Sequence, residues 1–146
     1  MIYEKRIKTI TLKLKEPAPQ NKVSSAEEVF HLARSIYAGL DDDQEHFTIF
    51  FLDSQNKVRG FKTVFSGGQN SSGMDMKVIF RNALIFGALS IICVHNHPSG
   101  NIQASSEDGA FTRKLKEAGE LLEIKLLDHL IISQTKYYSF ANDGLV

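Results

Sequence analysis

Cysteine is almost absent: Cys93 stands alone in 146 residues. That excludes an intrachain disulfide and a paired-cysteine zinc site, and a reducing cytoplasm is the expected setting. Neither sign of charge is in excess, with 17 Lys and Arg against 17 Asp and Glu. A domain-wide electrostatic claim on nucleic acid is thereby excluded, and only local patches remain open. No apolar run approaches the roughly 18 residues that a membrane-spanning helix needs. No apolar stretch follows the opening Met1-Ile2-Tyr3-Glu4-Lys5-Arg6, so no secretory leader is expected. What is present, 42% hydrophobic and 23% charged residues, is the balance of one soluble globular domain.

Charge is unevenly spread. Residues 1–22 hold six basic and two acidic side chains, and residues 23–45 hold one basic and six acidic. Residues 7–14 alternate apolar and polar, as a strand with one wet face does. Their lysines read as a solvated face, with a weak phosphate-binding strip as the alternative. Pro17 and Pro19 end that strand, so residues 1–23 are expected to form an N-terminal strand and linker and 24–146 the domain. Ser25-Ala26-Glu27-Glu28 has the form of a capping box, followed at helical spacing by Val29, Leu32, Ala33, Ile36 and Leu40. Asp41-Asp42-Asp43 reads as a solvated turn, lacking the glycine and spacing of a calcium loop. Phe47–Leu52 is apolar enough for a strand buried on both faces, and Val58–Phe65 reads as its hairpin partner.

The segment Ser66–Gly73 reads as a mobile loop. Asp75 can cap a helix that Gly87 stops. Ser90–Val94 is a second buried strand, with Cys93 in the core. Ser105 opens a helix with Phe111, Leu115, Ala118 and Leu122 on one face, and Ile124–Ile132 and Tyr137–Phe140 close the chain as strands. The order β-α-β-β-α-β-α-β-β predicts an α/β or α+β sandwich with helices covering a mixed sheet.

Chemistry concentrates in Val94-His95-Asn96-His97-Pro98-Ser99-Gly100, followed by Ser105 and Asp108. His95 and His97 are two apart at a strand end, so both imidazoles face one way. Two nitrogens on one face begin a zinc site. Ser105 as N-cap places Asp108 in the first helical turn, where free amides and the helix dipole favour its ionised form. Two histidines and a carboxylate leave a fourth tetrahedral position for water, the arrangement of a catalytic zinc. A hydrolytic site also needs a proton carrier. Glu45, at the entry to the strand Phe47–Leu52, is the candidate, although composition alone favours a plain surface glutamate, the fourth acid in a local run. Asp128 and His129 read either as groups orienting a zinc ligand or as a polar pair satisfied within a buried strand. His31 and His46 read as ordinary residues.

The spacing His95-x-His97, seven residues, Ser105, two residues, Asp108 resembles the JAMM signature of the JAB/MPN metalloprotease fold. The string His95–Gly100 through Ser105 to Asp108 resembles the RadC branch in particular. Leu127–Ile132, Ser139-Phe140 and the entry strand Glu45–Asp53 resemble it too. The resemblance spans about residues 24–146. It implies a cytidine-deaminase-like JAB/MPN sandwich with a mixed central sheet flanked by helices. It implies Zn2+ held by His95, His97 and Asp108, Glu45 as general acid/base, and Ser105 as hydrogen-bond donor to an oxyanion. On that hydroxyl, the capping and oxyanion roles compete.

The implied activity is zinc-dependent hydrolysis of an amide bond in an unidentified peptide or protein substrate. The alternatives are a non-catalytic MPN-like adaptor and a DNA-processing accessory protein. RadC proteins resemble this domain preceded by a helix-hairpin-helix module. About 23 residues stand before the first helix here, so a DNA-repair role and nucleic-acid binding draw little support from these residues, and no membrane partner is expected.

Overall fold

The computed structural model describes residues 22–67 and 74–146. The strand expected at residues 7–14 and most of the loop expected at 66–73 lie outside the described residues. Within them the elements run α1 (Ala26–Tyr37), β1 (Glu45–Leu52), β2 (Val58–Gly67), α2 (Met76–Phe86), β3 (Ser90–Asn96), α3 (Ser106–Leu121), β4 (Lys125–Ile132) and β5 (Tyr137–Ser139).

Each helix begins at a side chain able to satisfy its free amides. Ser25 accepts the Glu28 amide, Asp75 accepts the Lys77 amide, and Ser105 accepts the Asp108 amide. The first cap differs from the expected box: the Glu28 carboxylate reaches past Ser25 to the amide and hydroxyl of Ser24, at 2.6 and 3.0 Å. Helix α1 stops at Tyr37, so Leu40 lies beyond it, although it still packs on the core. Gly87 ends α2 at φ 62°, in the left-handed region that glycine enters without strain.

The strands form one mixed sheet in the order β2-β1-β3-β4-β5. β1 is antiparallel to β2 and to β3, β3 is parallel to β4, and β4 is antiparallel to β5. Every residue of β1 and β3 is buried, as strands covered on both faces require. Phe47, Ile49, Phe51, Ile91 and Cys93 pack beneath α2 and α3. Phe50, Leu52, Ile92, Val94 and Leu130 pack beneath α1. The result is a helix–sheet–helix sandwich, with α1 on one face of the mixed sheet and α2 and α3 on the other. The C-terminal end of β3 and the N-terminus of α3 meet on the α2/α3 side, and the chemistry lies there. No helix among the described residues is long and apolar enough to cross a membrane.

Candidate metal centre

β3 delivers His95 from its penultimate position, and His97 follows one residue past its end. Asp108 is the third residue of α3 and is buried. The three side chains converge. His95 Nε2 and His97 Nε2 are 3.1 Å apart. His95 Nε2 is 3.2 Å from Asp108 Oδ1, and His97 Nε2 is 3.2 Å from Asp108 Oδ2. A tetrahedral ion with ligand bonds of about 2.0–2.1 Å spaces its ligands about 3.3–3.4 Å apart. The triangle thus has nearly the size such an ion imposes, and these side chains form a group able to hold a metal.

The donor chemistry fits as well. His97 Nδ1 lies 2.9 Å from the Asn101 carbonyl. A carbonyl only accepts, so Nδ1 carries the proton and Nε2 of the neutral ring faces His95 and Asp108 with its lone pair. Burial alone would raise the Asp108 carboxyl. Hydrogen bonds and charge from His95 and His97, with the Ser105 amide, outweigh it and hold the group well below the usual carboxylate range. In the imidazolium form Nε2–H donates to Asp108 instead, and that hydrogen bond raises His97 against the opposing effect of burial.

Asp108 also closes the cap of its own helix. Oδ2 accepts the Ser105 amide at 2.9 Å while Ser105 Oγ accepts the Asp108 amide at 3.0 Å. One carboxylate therefore anchors α3 and serves the histidines. The expected competition on Ser105 is weaker than the sequence implied: capping uses a lone pair of the hydroxyl and leaves its proton to donate.

Glu45 opens β1 and is buried. Phe47 pairs with His95 in the antiparallel register. Glu45 precedes Phe47 by two residues and so shares its face, close enough for the charges of His95, His97 and Asp108 to act on its carboxyl. Burial raises its carboxyl above the ordinary value, opposed by the pull of His95 and His97. The backbone on either side of it is clamped by Asn96. The Asn96 amide donates from Nδ2 to the Gln44 carbonyl at 2.9 Å, and its Oδ1 accepts the His46 amide at 2.8 Å. Asn96 was not anticipated from the sequence. Alternation turns it away from the histidines, and only its reach around the strand end connects it to Glu45. Tyr37 adds a second tie, its hydroxyl lying 3.1 Å from the His46 carbonyl and 3.0 Å from that of Val94.

The two open readings of Asp128 and His129 divide between the residues. Asp128 accepts the His129 and Ala141 amides and the Ser139 hydroxyl, at 2.7, 3.0 and 2.6 Å. It is the satisfied polar group that joins β4 to β5. His129 instead lies against the metal side: its Nε2 is 2.8 Å from His95 Nδ1 and its Nδ1 is 2.7 Å from Thr112 Oγ1. Thr112 also escaped the sequence reading, though its place one helical turn after Asp108 was a usable signal. His46 is structural, its ring nitrogens each 2.7 Å from Ser66 Oγ and the Asp41 carbonyl. Cys93 is core, and burial pushes its thiol far up. Asp41-Asp42-Asp43 is exposed, as expected of a turn. A cavity of about 360 Å³ adjoins the centre, lined by Arg34, Asn96, His97, Ser99, Gly100 and Gln134 among others.

A mixed sheet between helices, with His-x-His at one strand end and an aspartate from the next helix, defines a JAB/MPN-type domain. Comparison with known proteins narrows this: a family described as RadC-like JAB domain matches residues 23–145, and the chain belongs to that family. A UPF0758 protein of Flavobacterium johnsoniae is 40% identical over 124 residues, 85% of this chain and 53% of that protein. A UPF0758 protein of Listeria monocytogenes is 48% identical over 101 residues, 69% of this chain and 45% of its own. One of Geobacillus thermodenitrificans is 45% identical over 103 residues, 70% and 46% respectively. The chain thus spans about half the length of the curated relatives it matches.

Proposed function

We propose that this domain is a zinc-dependent hydrolase of the JAMM type, acting on an amide bond of a peptide, or on an isopeptide, in a cytoplasmic setting. The observation that carries the proposal is the convergence of His95 Nε2, His97 Nε2 and the Asp108 carboxylate at 3.1–3.2 Å, beside a buried glutamate with a raised pKa. When bound, zinc supplies Lewis-acid polarisation of a carbonyl and a water acidic enough to ionise near neutral pH.

His95, His97 and Asp108 would hold the ion and leave a coordination position to solvent or substrate. Glu45 takes the proton of the attacking water and returns it to the departing amine, and a carboxyl raised by burial suits that shuttle. The Ser105 hydroxyl, capping α3 through its lone pair, donates its proton toward the oxyanion. Asn96 fixes the backbone flanking Glu45, and the cavity beside His97 gives the substrate chain room.

The test is Glu45→Gln in the zinc-loaded protein, assayed on fluorogenic peptide and isopeptide libraries. Zinc stoichiometry and unfolding midpoint should match the parent while hydrolysis falls by about 10²–10⁴-fold, the range of general acid–base catalysis. Equal turnover by the variant, or a parent that binds no zinc, would overturn the proposal.

A further inference from the structure

His129 and Thr112 form a chain that ends on a metal ligand. The direction of its protons follows from the one member that cannot donate. The Thr112 hydroxyl donates to the Asp108 carbonyl at 2.7 Å. With its single proton engaged there, Oγ1 is the acceptor in its 2.7 Å contact with His129 Nδ1, so Nδ1 carries a proton. His129 is fully buried. Its ring is stacked 5.0 Å from Phe140, tilted 5.5 Å from Phe47 and edge-on to Phe111. No carboxylate touches the ring among the described residues, so an imidazolium there would be an unpaired buried charge. The ring is therefore neutral, protonated at Nδ1 alone. Its Nε2 is then a lone pair, 2.8 Å from His95 Nδ1, and His95 donates Nδ1–H to it.

We propose that Thr112 and His129 are positioning residues that hold His95 in the Nδ1–H tautomer and present its Nε2 lone pair to the ion. The inference rests on the metal-centre reading above. A histidine here occupies the place more often taken by a carboxylate or carbonyl behind a metal-bound imidazole. A carboxylate would bring a second buried negative charge close to Asp108, whereas a neutral imidazole, oriented by a threonine on the same helix as Asp108, fixes the tautomer without charge. Reversing the chain would send His129 Nε2–H to His95 Nδ1. That would leave a proton on His95 Nε2 facing Asp108 Oδ1 at 3.2 Å and close the ligand position.

The experiment uses two readouts on the whole chain at pH 8. In chelated, 15N-labelled protein, long-range 1H–15N correlation of the imidazole rings should show His129 and His95 each protonated at Nδ1 and bare at Nε2. Zinc affinity is then measured by competition with a chromophoric chelator. Thr112→Val should lose about 10–100-fold, the usual effect of removing such a partner, and Thr112→Ser should recover to within about threefold. His129 protonated at Nε2 in the parent protein would overturn the inference, as would a folded Thr112→Val that binds zinc like the parent. If Thr112→Val fails to fold, the parent spectrum and Thr112→Ser still decide. A parent that binds no zinc yet shows the stated tautomers would refute the metal-centre reading and leave the proton chain standing.

Discussion

Asp108→Asn should stabilise the chelated protein at alkaline pH while abolishing its response to zinc. In the parent, the Asp108 carboxylate, with its side chain 3% exposed, faces both Nε2 atoms at 3.2 Å. Once the imidazoles are neutral, three acceptors meet without a proton. Asparagine keeps one oxygen for the Ser105 amide and turns an NH2 toward the histidines, restoring a buried hydrogen bond of about 0.5–1.5 kcal/mol.

The pH dependence fixes the sign. His97 is raised above 6.5 in the folded protein, so its contribution is fully present below pH 6.5 and is lost as pH climbs through the folded value. Asp108 is depressed below 3.8, so its contribution is present above pH 3.8 and is lost as pH falls through the folded value. The chelated parent should therefore gain its Asp108–His97 stabilisation as pH rises to about 4, hold it between about pH 4 and 6.5, and lose it above, with a slope of up to about 1.4 kcal/mol per pH unit for each proton. The variant lacks both slopes. It should be less stable than the parent at pH 5.5 and more stable by about 1 kcal/mol at pH 9.

Zinc at 100 times its dissociation constant should add about 2.7 kcal/mol to the parent. For a chain of this length that is about 5–11 °C in Tm, and the variant should gain little. Urea unfolding at both pH values, with chelator and with zinc, reads all of this. A variant weaker than the parent at both pH values and shifted equally by zinc would refute the reasoning.

Two further outcomes follow from contacts away from the ligands. Asn96→Ala leaves the Gln44 carbonyl and His46 amide without their partner; the unfolding free energy from urea titration should fall by about 1–3 kcal/mol, and hydrolysis should drop while zinc affinity stays within a few-fold, whereas unchanged turnover would show that the clamp does not position Glu45. Gly119→Ala would place a Cβ 2.4 Å from the Ile124 carbonyl oxygen, at the end of α3 remote from Asp108; a loss of about 1–3 kcal/mol is expected, and an unaltered unfolding midpoint would contradict the close approach.

The sequence was most legible where the signal is local. Phe47–Leu52 reads as a doubly buried strand because nearly every residue is apolar, and β1 is buried throughout. Ser25, Asp75 and Ser105 mark helix starts because a capping side chain acts within three residues. The grouping of His95, His97 and Asp108, a set that could hold a metal ion, was equally local, its spacing set by a strand end, a turn and a helix start. Contacts built by distant pairing were not legible.

The clearest case is the Asp128–His129 pair. β4 skips a register position against β3, with Ile91 opposite Leu126 but Ile92 opposite Asp128. Strict alternation from Leu126 would put Asp128 on the metal face and His129 on the α1 face. The irregularity at Leu127 exchanges them, so that His129 meets His95 and Asp128 meets Ser139. Nothing in the order of these residues announces that shift. The Asn96 clamp was hidden for a related reason, since it joins residues 50 and 52 positions apart.

His95, His97 and Asp108 together are expected to hold a divalent ion. Anomalous diffraction at the zinc absorption edge, from crystals of the zinc-loaded protein, tests it most directly. The expected result is one strong peak at full occupancy, about 2.0–2.2 Å from the two Nε2 atoms and an Asp108 oxygen, with Glu45 beside its open side. A map with no peak there, or with the zinc bound elsewhere, would contradict it.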